Sequence, residues 1–378
     1  MHSLYKDLVN HPPKGFEILY DSSSFSMTKQ IMNITSTKVS LLNNVIYNCM
    51  PLPYIITQVS ADRFNNMMGC ELIFASQHIL FQNNPWITDL EFVNALVGYG
   101  SLRFVSKIIL KAFLQKSCKK ILPWSNWAKE TLLRSLDHPL LRNKLQVVHY
   151  AVHKRNKYRK KVNDEITLLF VGSNNPLNIE NFEVKGGREM IEAFIYLLKK
   201  FDKIKLIVRS WVPANIKILC EKFPKKIKII DYSVSYSELD EIYSESDIFV
   251  LPSHETLGIA VLEAMSYGLS IVTLGIYDIP EALQNYESAL LISPPNNIMY
   301  TDRYLAPKDY TPLFIVGIRK AHDYIVKELI EKVSLLIDDA SLRNRLGQNA
   351  KNESETGNFS ISVRNKILKT IFEESLKS

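Results

Sequence analysis

The stretch Ser246–Gly268, SDIFVLPSHETLGIAVLEAMSYG, decides the fold. Ile248 to Leu251 is a short apolar run that reads as a buried strand. Pro252-Ser253-His254 makes a turn, and Glu255-Thr256-Leu257-Gly258 leads into a helical pattern with Ile259, Leu262 and Met265 on one face and Gly268 at the stop. A strand, a tight loop and a helix in that order aim the helix N-terminus past the end of the strand. Unpaired N–H groups and the helix dipole make such an end an anion site, and Gly258 lets the backbone approach a ligand closely. Two carboxylates flank it, Glu255 in the loop and Glu263 in the helix, with the spacing E-x7-E. Carboxylates are poor phosphate ligands but accept hydrogen bonds from sugar hydroxyls. The local chemistry therefore reads as a phosphate between two hydroxyl-bearing rings, a nucleotide sugar.

The frame D-I-F-V-L-P-S-x-E-x-x-G-x-x-x-L-E-A-M-x-x-G resembles the signature of retaining glycosyltransferases of the GT-B fold, the E-x7-E group of the family 4 type also called glycosyl transferases group 1. The resemblance implies an α/β chain of two Rossmann-like domains facing across a cleft. It implies that Glu255 contacts the transferred sugar, that Glu263 holds the donor ribose, and that the amides of Thr256, Leu257, Gly258 and Ile259 hold the diphosphate. The bland alternative is an amphipathic helix with two unrelated glutamates.

The chain has 378 residues, 46% hydrophobic and 22% charged, which is globular composition with room for two domains. It has no apolar run of about 18 residues. The first residues, MHSLYKDLVNHPPKG, lack the apolar core of a signal peptide. Four scattered cysteines, Cys49, Cys70, Cys118 and Cys220, fit a reducing compartment and argue against a metal cage. The expectation is a cytoplasmic protein, peripheral on the inner face of the membrane if it contacts lipid. The net charge is +7, and residues 1–150 hold 15 Lys/Arg against 9 Asp/Glu. That asymmetry is compatible with an anionic acceptor, a membrane surface or nucleic acid, but no nucleic-acid motif is visible.

Residues 1–155 form the expected N-terminal, acceptor-side Rossmann-like domain. β-like runs fall at Phe16–Tyr20, Val45–Tyr47, Tyr54–Thr57, Glu71–Ala75, Trp86–Thr88, Lys120–Leu122 and Leu145–Tyr150. The chain opens on a helical pattern, His2 to Asn10, so the expectation is a domain lacking the first strand and glycine-rich turn usual in the resembling family, either trimmed or with that turn replaced. Asp89 ends a strand and is the candidate for reaching donor sugar or acceptor, with Glu91 as its rival. A plain helix N-cap at Thr88 or Asp89 is the equal alternative. Residues 101–120, SLRFVSKIILKAFLQKSCKK, carry basic residues and no acid. They read as a basic amphipathic helix that either lies on anionic lipid or docks on a sheet with its lysines solvated. Ser125 or Asn126 caps the next helix. The basic run HKRNKYRKK, residues 153–161, is the expected linker.

Residues 156–360 form the expected C-terminal nucleotide-sugar domain, and 361–378 a helix crossing back to the first. Ile166 to Gly172 is a buried strand, 173–185 a polar loop, and 188–201 a helix. Lys185-Gly186 matches the family's Lys-Gly pair, which implies a phosphate contact for Lys185 in place of a merely solvated lysine. Ser173 stands where the family has Arg, so Arg188 or Arg209 would have to supply the second charge. Tyr232 follows the strand Lys226–Ile230 and either stacks on the nucleobase or packs in the core. In Gly275–Glu281, GIYDIPE, Tyr277 and Asp278 occupy places where the family has small residues. Residues 296–324 read as an insertion before a helix at 325–346. The expected reaction is metal-independent transfer of a sugar, with retention, from a nucleotide-diphosphate sugar to a saccharide or lipid-linked glycan. The donor is a substrate, and no cofactor is implied. The alternative is a GT-B protein that has lost catalysis and serves as a binding partner.

Overall fold

The computed structural model describes residues 3–19, 69–97, 102, 105–155, 165–174, 180–295 and 312–377. The chain divides into two compact units, one of residues up to Tyr150 with Ile361–Ser378, the other running from Ala151 to Ser360.

Among its described residues the first unit opens on helix α1 (Ser3–Asn10) and contains a parallel sheet of three strands, β1 (Ile73–Phe74), β2 (Trp86–Leu90) and β3 (Cys118–Pro123), in that order. Between and after them lie α2 (Ser106–Leu114), α3 (Asn126–Ser135) and α4 (Pro139–Arg142). Side chains alternate faces along a strand, and an irregularity in the β2–β3 register, where Trp86 faces Cys118 but Ile87 faces Lys120, puts Cys118 on the same face as Ile121, so β2 and β3 feed two cores. Trp86, Leu90, Cys118 and Ile121 pack with Ile109, Ala112 and Phe113 of α2. Ile87 and Leu122 pack on the other side with Leu8 of α1 and with Leu368, Ile371 and Phe372 of the last helix, α13 (Ile361–Lys377). The Arg364 guanidinium and the Asn365 amide of α13 donate to the His11 carbonyl just beyond α1, at 3.2 and 2.9 Å.

Several expectations change here. The run at Phe16–Tyr20 is not a strand over its described residues, 16–19, and 145–150 makes only a single bridge, Leu145 to Ile121. Val45–Tyr47 and Tyr54–Thr57 lie outside the described residues. Among the described residues of the basic segment, 102 and 105–120, the helix runs over Ser106–Leu114. Cys118, Lys119 and Lys120 belong to β3, and Lys120 pairs with Glu374. The apolar side of α2 is buried in the core while Lys107 and Lys111 are exposed. A helix lying on lipid needs that apolar side for the acyl chains; here it serves the sheet. Among the described residues no helix is long and apolar enough to cross a membrane.

The second unit is a six-stranded parallel sheet. Its strands in chain order are β4 (Ile166–Val171), β5 (Ile204–Arg209), β6 (Ile227–Ile230), β7 (Ile248–Leu251), β8 (Ser270–Leu274) and β9 (Leu290–Ile292). Their order in the sheet is β6-β5-β4-β7-β8-β9. That is the doubly wound Rossmann order, in which the chain runs outward from β4 one way, returns, and continues from β7 the other way. The central strands β7 and β8 are buried at every residue, as a sheet covered on both faces requires. The helices are α5 (Glu180–Val184), α6 (Gly187–Leu197), α7 (Ala214–Cys220), α8 (Tyr236–Glu245), α9 (Ile259–Ser266), α10 (Ile279–Ala282), α11 (Pro312–Asp338) and α12 (Ala340–Glu355). A capping box starts α8, with Ser235 and Glu238 satisfying each other's backbone N–H. Two readings are corrected. The loop at 173–185 contains α5, and the helix read as starting at Ile325 begins at Pro312, inside the supposed insertion, and ends at Asp338. Asp339 breaks it by capping α12, its carboxylate accepting the Leu342 N–H at 2.8 Å.

Candidate active site

In a doubly wound sheet the strand order reverses at one point, and the crevice beyond the strand C-termini there is where ligands bind. In the second unit the reversal lies between β4 and β7. β4 ends at Val171 and runs into Gly172, Ser173 and Asn174. β7 ends at Leu251 and runs into Pro252, Ser253, His254 and Glu255. The residues singled out from the sequence collect around these two ends.

Lys185 forms an ion pair with Glu255, Nζ to Oε2, with both side chains partly buried. Backbone geometry brings them together. Gly186 has φ of 73°, in the left-handed region that side chains disfavour, and a Cβ there would lie 2.5 Å from the Pro252 carbonyl oxygen. The Lys-Gly dipeptide is thus seated directly on the turn after β7. The same turn is tied down again by the His254 N–H, which donates to the Val184 carbonyl at 2.8 Å. The His254 ring is fully buried and packs edge-on to Phe314. Burial pushes its pKa down to about 3, so it is a neutral structural imidazole.

The loop into α9 carries the amides expected to hold a diphosphate. Leu257 departs from that expectation. Its N–H donates to Asp278 Oδ1 at 2.8 Å, and its side chain is buried. Asp278, 2% exposed, thereby fixes the loop from the turn after β8. The N–H groups of Gly258 and Ile259, at the start of α9, have no acceptor among the described residues. Gly258 has an ordinary φ of −90°, and a Cβ there would meet nothing within 4 Å. Protein packing gives no reason for a glycine at this place. Thr256 is partly exposed beside it.

Glu263 is 8% exposed on α9 and accepts a hydrogen bond from Tyr243 Oη at 2.9 Å. Arg209, the last residue of β5, acts electrostatically on the same tyrosine, so Arg209, Tyr243 and Glu263 share one neighbourhood. Arg188 turns elsewhere and pairs with Glu192 at 3.0 Å. Tyr232 is 58% exposed, which overturns the core-packing alternative, and its carbonyl accepts the Asn174 side-chain N–H at 2.6 Å. Ser173, in the place of the family's arginine, accepts through its carbonyl from the Trp211 N–H at 2.9 Å and the Ser210 hydroxyl at 3.0 Å.

Asp89 belongs to the first unit, at the end of β2. It is 5% exposed and accepts from Tyr5 Oη at 2.9 Å, Trp124 Nε1 at 2.8 Å and the Gln77 N–H at 2.9 Å. Burial pushes its pKa up to about 6 against the pull of those donors. It lines a small cavity with Tyr5, Trp124, His149 and Arg364. This geometry ties α1 to the sheet, a role that the N-cap alternative did not anticipate. Glu91 is partly exposed after the strand. Ser125, not Asn126, caps α3, accepting the Ala128 N–H at 3.0 Å.

Sequence reasoning missed Tyr243 and His254, and marked Asp278 only as unusual. Tyr243 sits at an apolar position of an amphipathic helix and reads as core. Nothing in its spacing announces a partner 20 residues away. Among the described residues no group of three or more His, Cys, Asp or Glu could hold a metal ion.

Residues 165–305 match the family model of glycosyl transferases group 1. A capsular polysaccharide biosynthesis glycosyltransferase of Staphylococcus aureus, CapM, is 22% identical over 228 residues, 58% of this chain and 49% of that protein. The chain spans about half, or less, of the length of the curated relatives it matches. Among solved structures, a glycosyltransferase from Rickettsia africae superposes with a TM-score of 0.59 at 14% identity, covering 94% of each chain. Anabaena Alr3699/HepE in complex with UDP and glucose superposes with a TM-score of 0.56 at 12% identity, covering 87% of this chain and 83% of that one. These likenesses establish the fold, the GT-B architecture of two Rossmann-like domains.

Proposed function

We propose that this chain is a glycosyltransferase that moves a sugar from a nucleotide-diphosphate sugar to a saccharide or lipid-linked glycan, with retention at the anomeric carbon and without a metal ion. The observation that carries the reading is the meeting of Lys185 and Glu255 at the reversal point of the second sheet, beside the unpaired N–H groups that open α9. The family match over 165–305 covers the same residues, and a structural neighbour was solved with UDP and glucose bound.

The chemistry follows from charge. Breaking the bond between the anomeric carbon and phosphate leaves negative charge on the nucleoside diphosphate. Groups aimed at that charge lower the barrier most. Lys185 and the Gly258 and Ile259 N–H groups are such donors, and Arg209 is the second cation. Glu255 accepts from hydroxyls of the donor sugar and Glu263 from the ribose, while the exposed Tyr232 ring stacks on the base. Lys185 and Glu255 neutralise each other until the donor arrives. Binding then exchanges their mutual ion pair for phosphate on one side and hydroxyls on the other.

The test is saturation-transfer NMR of the full chain over UDP-, GDP- and ADP-sugars, with Glu263→Ala beside it. One donor class binding and weakened in the variant is the expected result. Absence of binding by every donor at millimolar concentration would sink the proposal. The anomeric configuration of the product, read from its proton coupling constants, tests retention. Turnover unchanged by a chelator tests metal independence.

A further inference from the structure

The environment of Glu263 carries more than the two-glutamate pattern does. Tyr243, on α8, lies with its phenol oxygen 2.9 Å from Glu263 Oε2 and 3.3 Å from the Ala260 carbonyl. A phenol has one proton, and the shorter bond to an ionised carboxylate is the stronger. The proton therefore goes to Glu263.

Tyr243 is itself held on both sides. Its ring stacks on Tyr267 with centroids 5.1 Å apart and planes 4° from parallel, and on Phe249 of β7 at 6.2 Å. Tyr267 donates its hydroxyl to Asp240, and Asp240 pairs with Arg155 at 3.3 Å. The Arg155 guanidinium lies over the Tyr267 ring, 5.9 Å from its centroid. A side chain so confined cannot follow Glu263 if the carboxylate rotates, so it defines the carboxylate's orientation. Burial and the neighbouring Glu263 charge hold the Tyr243 pKa well above 10, so the phenol stays a donor at any physiological pH.

We propose that Tyr243 is a positioning residue for Glu263, fixing the carboxylate in the orientation that accepts a ribose diol and thereby setting discrimination between ribo- and 2′-deoxyribonucleotides. The inference rests on the reading of Glu263 as the ribose ligand. A carboxylate left to rotate loses alignment with two adjacent hydroxyls before it loses contact with one. Selectivity is thus the property that depends on Tyr243.

The experiment uses calorimetric titration of the full chain with UDP, GDP and ADP and their 2′-deoxy counterparts. The wild type is expected to favour the ribo form of its preferred nucleotide by about tenfold or more, the scale of one lost hydrogen bond to a charged group. Tyr243→Phe keeps the stacked ring and removes only the hydroxyl. It should weaken the ribonucleotide about tenfold, leave the deoxynucleotide nearly unchanged, and bring the ratio toward one. In the Glu263→Gln background the same change should add nothing, because Tyr243 acts through Glu263. A wild-type ratio preserved in Tyr243→Phe, or losses that add in the double variant, would overturn the proposal while the donor site stands. If none of the three nucleotides binds the wild type, both this proposal and the donor reading fall.

Discussion

Lys185 and Glu255 are ion-paired across the reversal point of the second sheet, each serving as the other's counter-charge. This pairing predicts a cost that is specific to phosphate. Lys185→Met should weaken a nucleoside diphosphate by about 10- to 100-fold, the scale of a hydrogen bond to a charged group. The corresponding nucleoside, without phosphate, should bind as before. Titration calorimetry with UDP against uridine, or the pair for the preferred base, makes the comparison. Equal losses for both would mean that Lys185 acts on the fold and not on phosphate.

Gly186 is required twice over, by its left-handed φ and by its closeness to Pro252. Gly186→Ala should destabilise the second unit by about 2 kcal/mol or more, from the strained backbone and the forced shift of the turn. The same shift carries Lys185 away from Glu255, so nucleotide affinity should fall with melting temperature. A variant that melts like the wild type would contradict the assigned geometry.

Asp278 is expected to act as a brace. Asp278→Ala strips the Leu257 N–H of its acceptor, an expected loss of about 1–3 kcal/mol for a buried donor. Asp278→Asn keeps an acceptor oxygen and should recover most of it. Thermal melts of the two variants, with donor KM measured alongside, separate a brace from a residue whose charge selects the sugar. In the latter case Asn would restore stability but not KM.

Two histidines of the second unit titrate in opposite directions. His254 is buried with its pKa pushed down to about 3, below the ordinary value near 6.5. Above pH 6.5 neither folded nor unfolded chain protonates it. As pH falls from 6.5 toward 3 only the unfolded chain does, and stability drops by up to about 1.4 kcal/mol per pH unit. His322 on α11 bonds Glu189 at 2.9 Å and Glu192 at 2.7 Å of α6. Those carboxylates, Glu189 foremost, raise its pKa to about 9 against its burial. Its contribution is complete below pH 6.5 and is lost as pH rises through 9. Stability should therefore peak near pH 6.5, and His322→Ala should flatten the alkaline side. Chemical denaturation across pH 4 to 10 would expose a profile without that change of slope.

Asp89 separates anchoring from chemistry. Asp89→Ala leaves Tyr5, Trp124 and the Gln77 N–H without their acceptor. It should cost about 3 kcal/mol or more in the first unit, with a change in tryptophan fluorescence, while nucleotide binding by the second unit is unchanged. Transfer abolished in Asp89→Asn at wild-type stability would instead make the carboxylate part of the reaction.

The second unit was largely legible in the sequence because its signals are local. Buried strands are short apolar runs, Gly268 stops a helix, and Glu255 and Glu263 keep a fixed spacing on one loop and helix. The first unit was less so. Its strands are few and short among the described residues, and the lysine-rich helix at 106–114 has the same periodicity whether its apolar face meets lipid or a sheet. Only the packing of Ile109, Ala112 and Phe113 against Trp86 and Cys118 chose between them.

The sequence by itself determined the strand, loop and helix of Ser246–Gly268 and the carboxylate pair they carry, since these are written within about 25 neighbouring residues. The tertiary structure decided which side chains those residues answer to. Lys185 meets Glu255, Tyr243 meets Glu263, and Asp278 meets Leu257, because parallel strands bring the ends of distant segments to one edge. Spacing along the chain encodes a face of a helix or strand. It does not encode which partner the sheet order places opposite that face, and for Asp89 the partners are Tyr5, Trp124 and the Gln77 N–H, which tie α1 to the sheet.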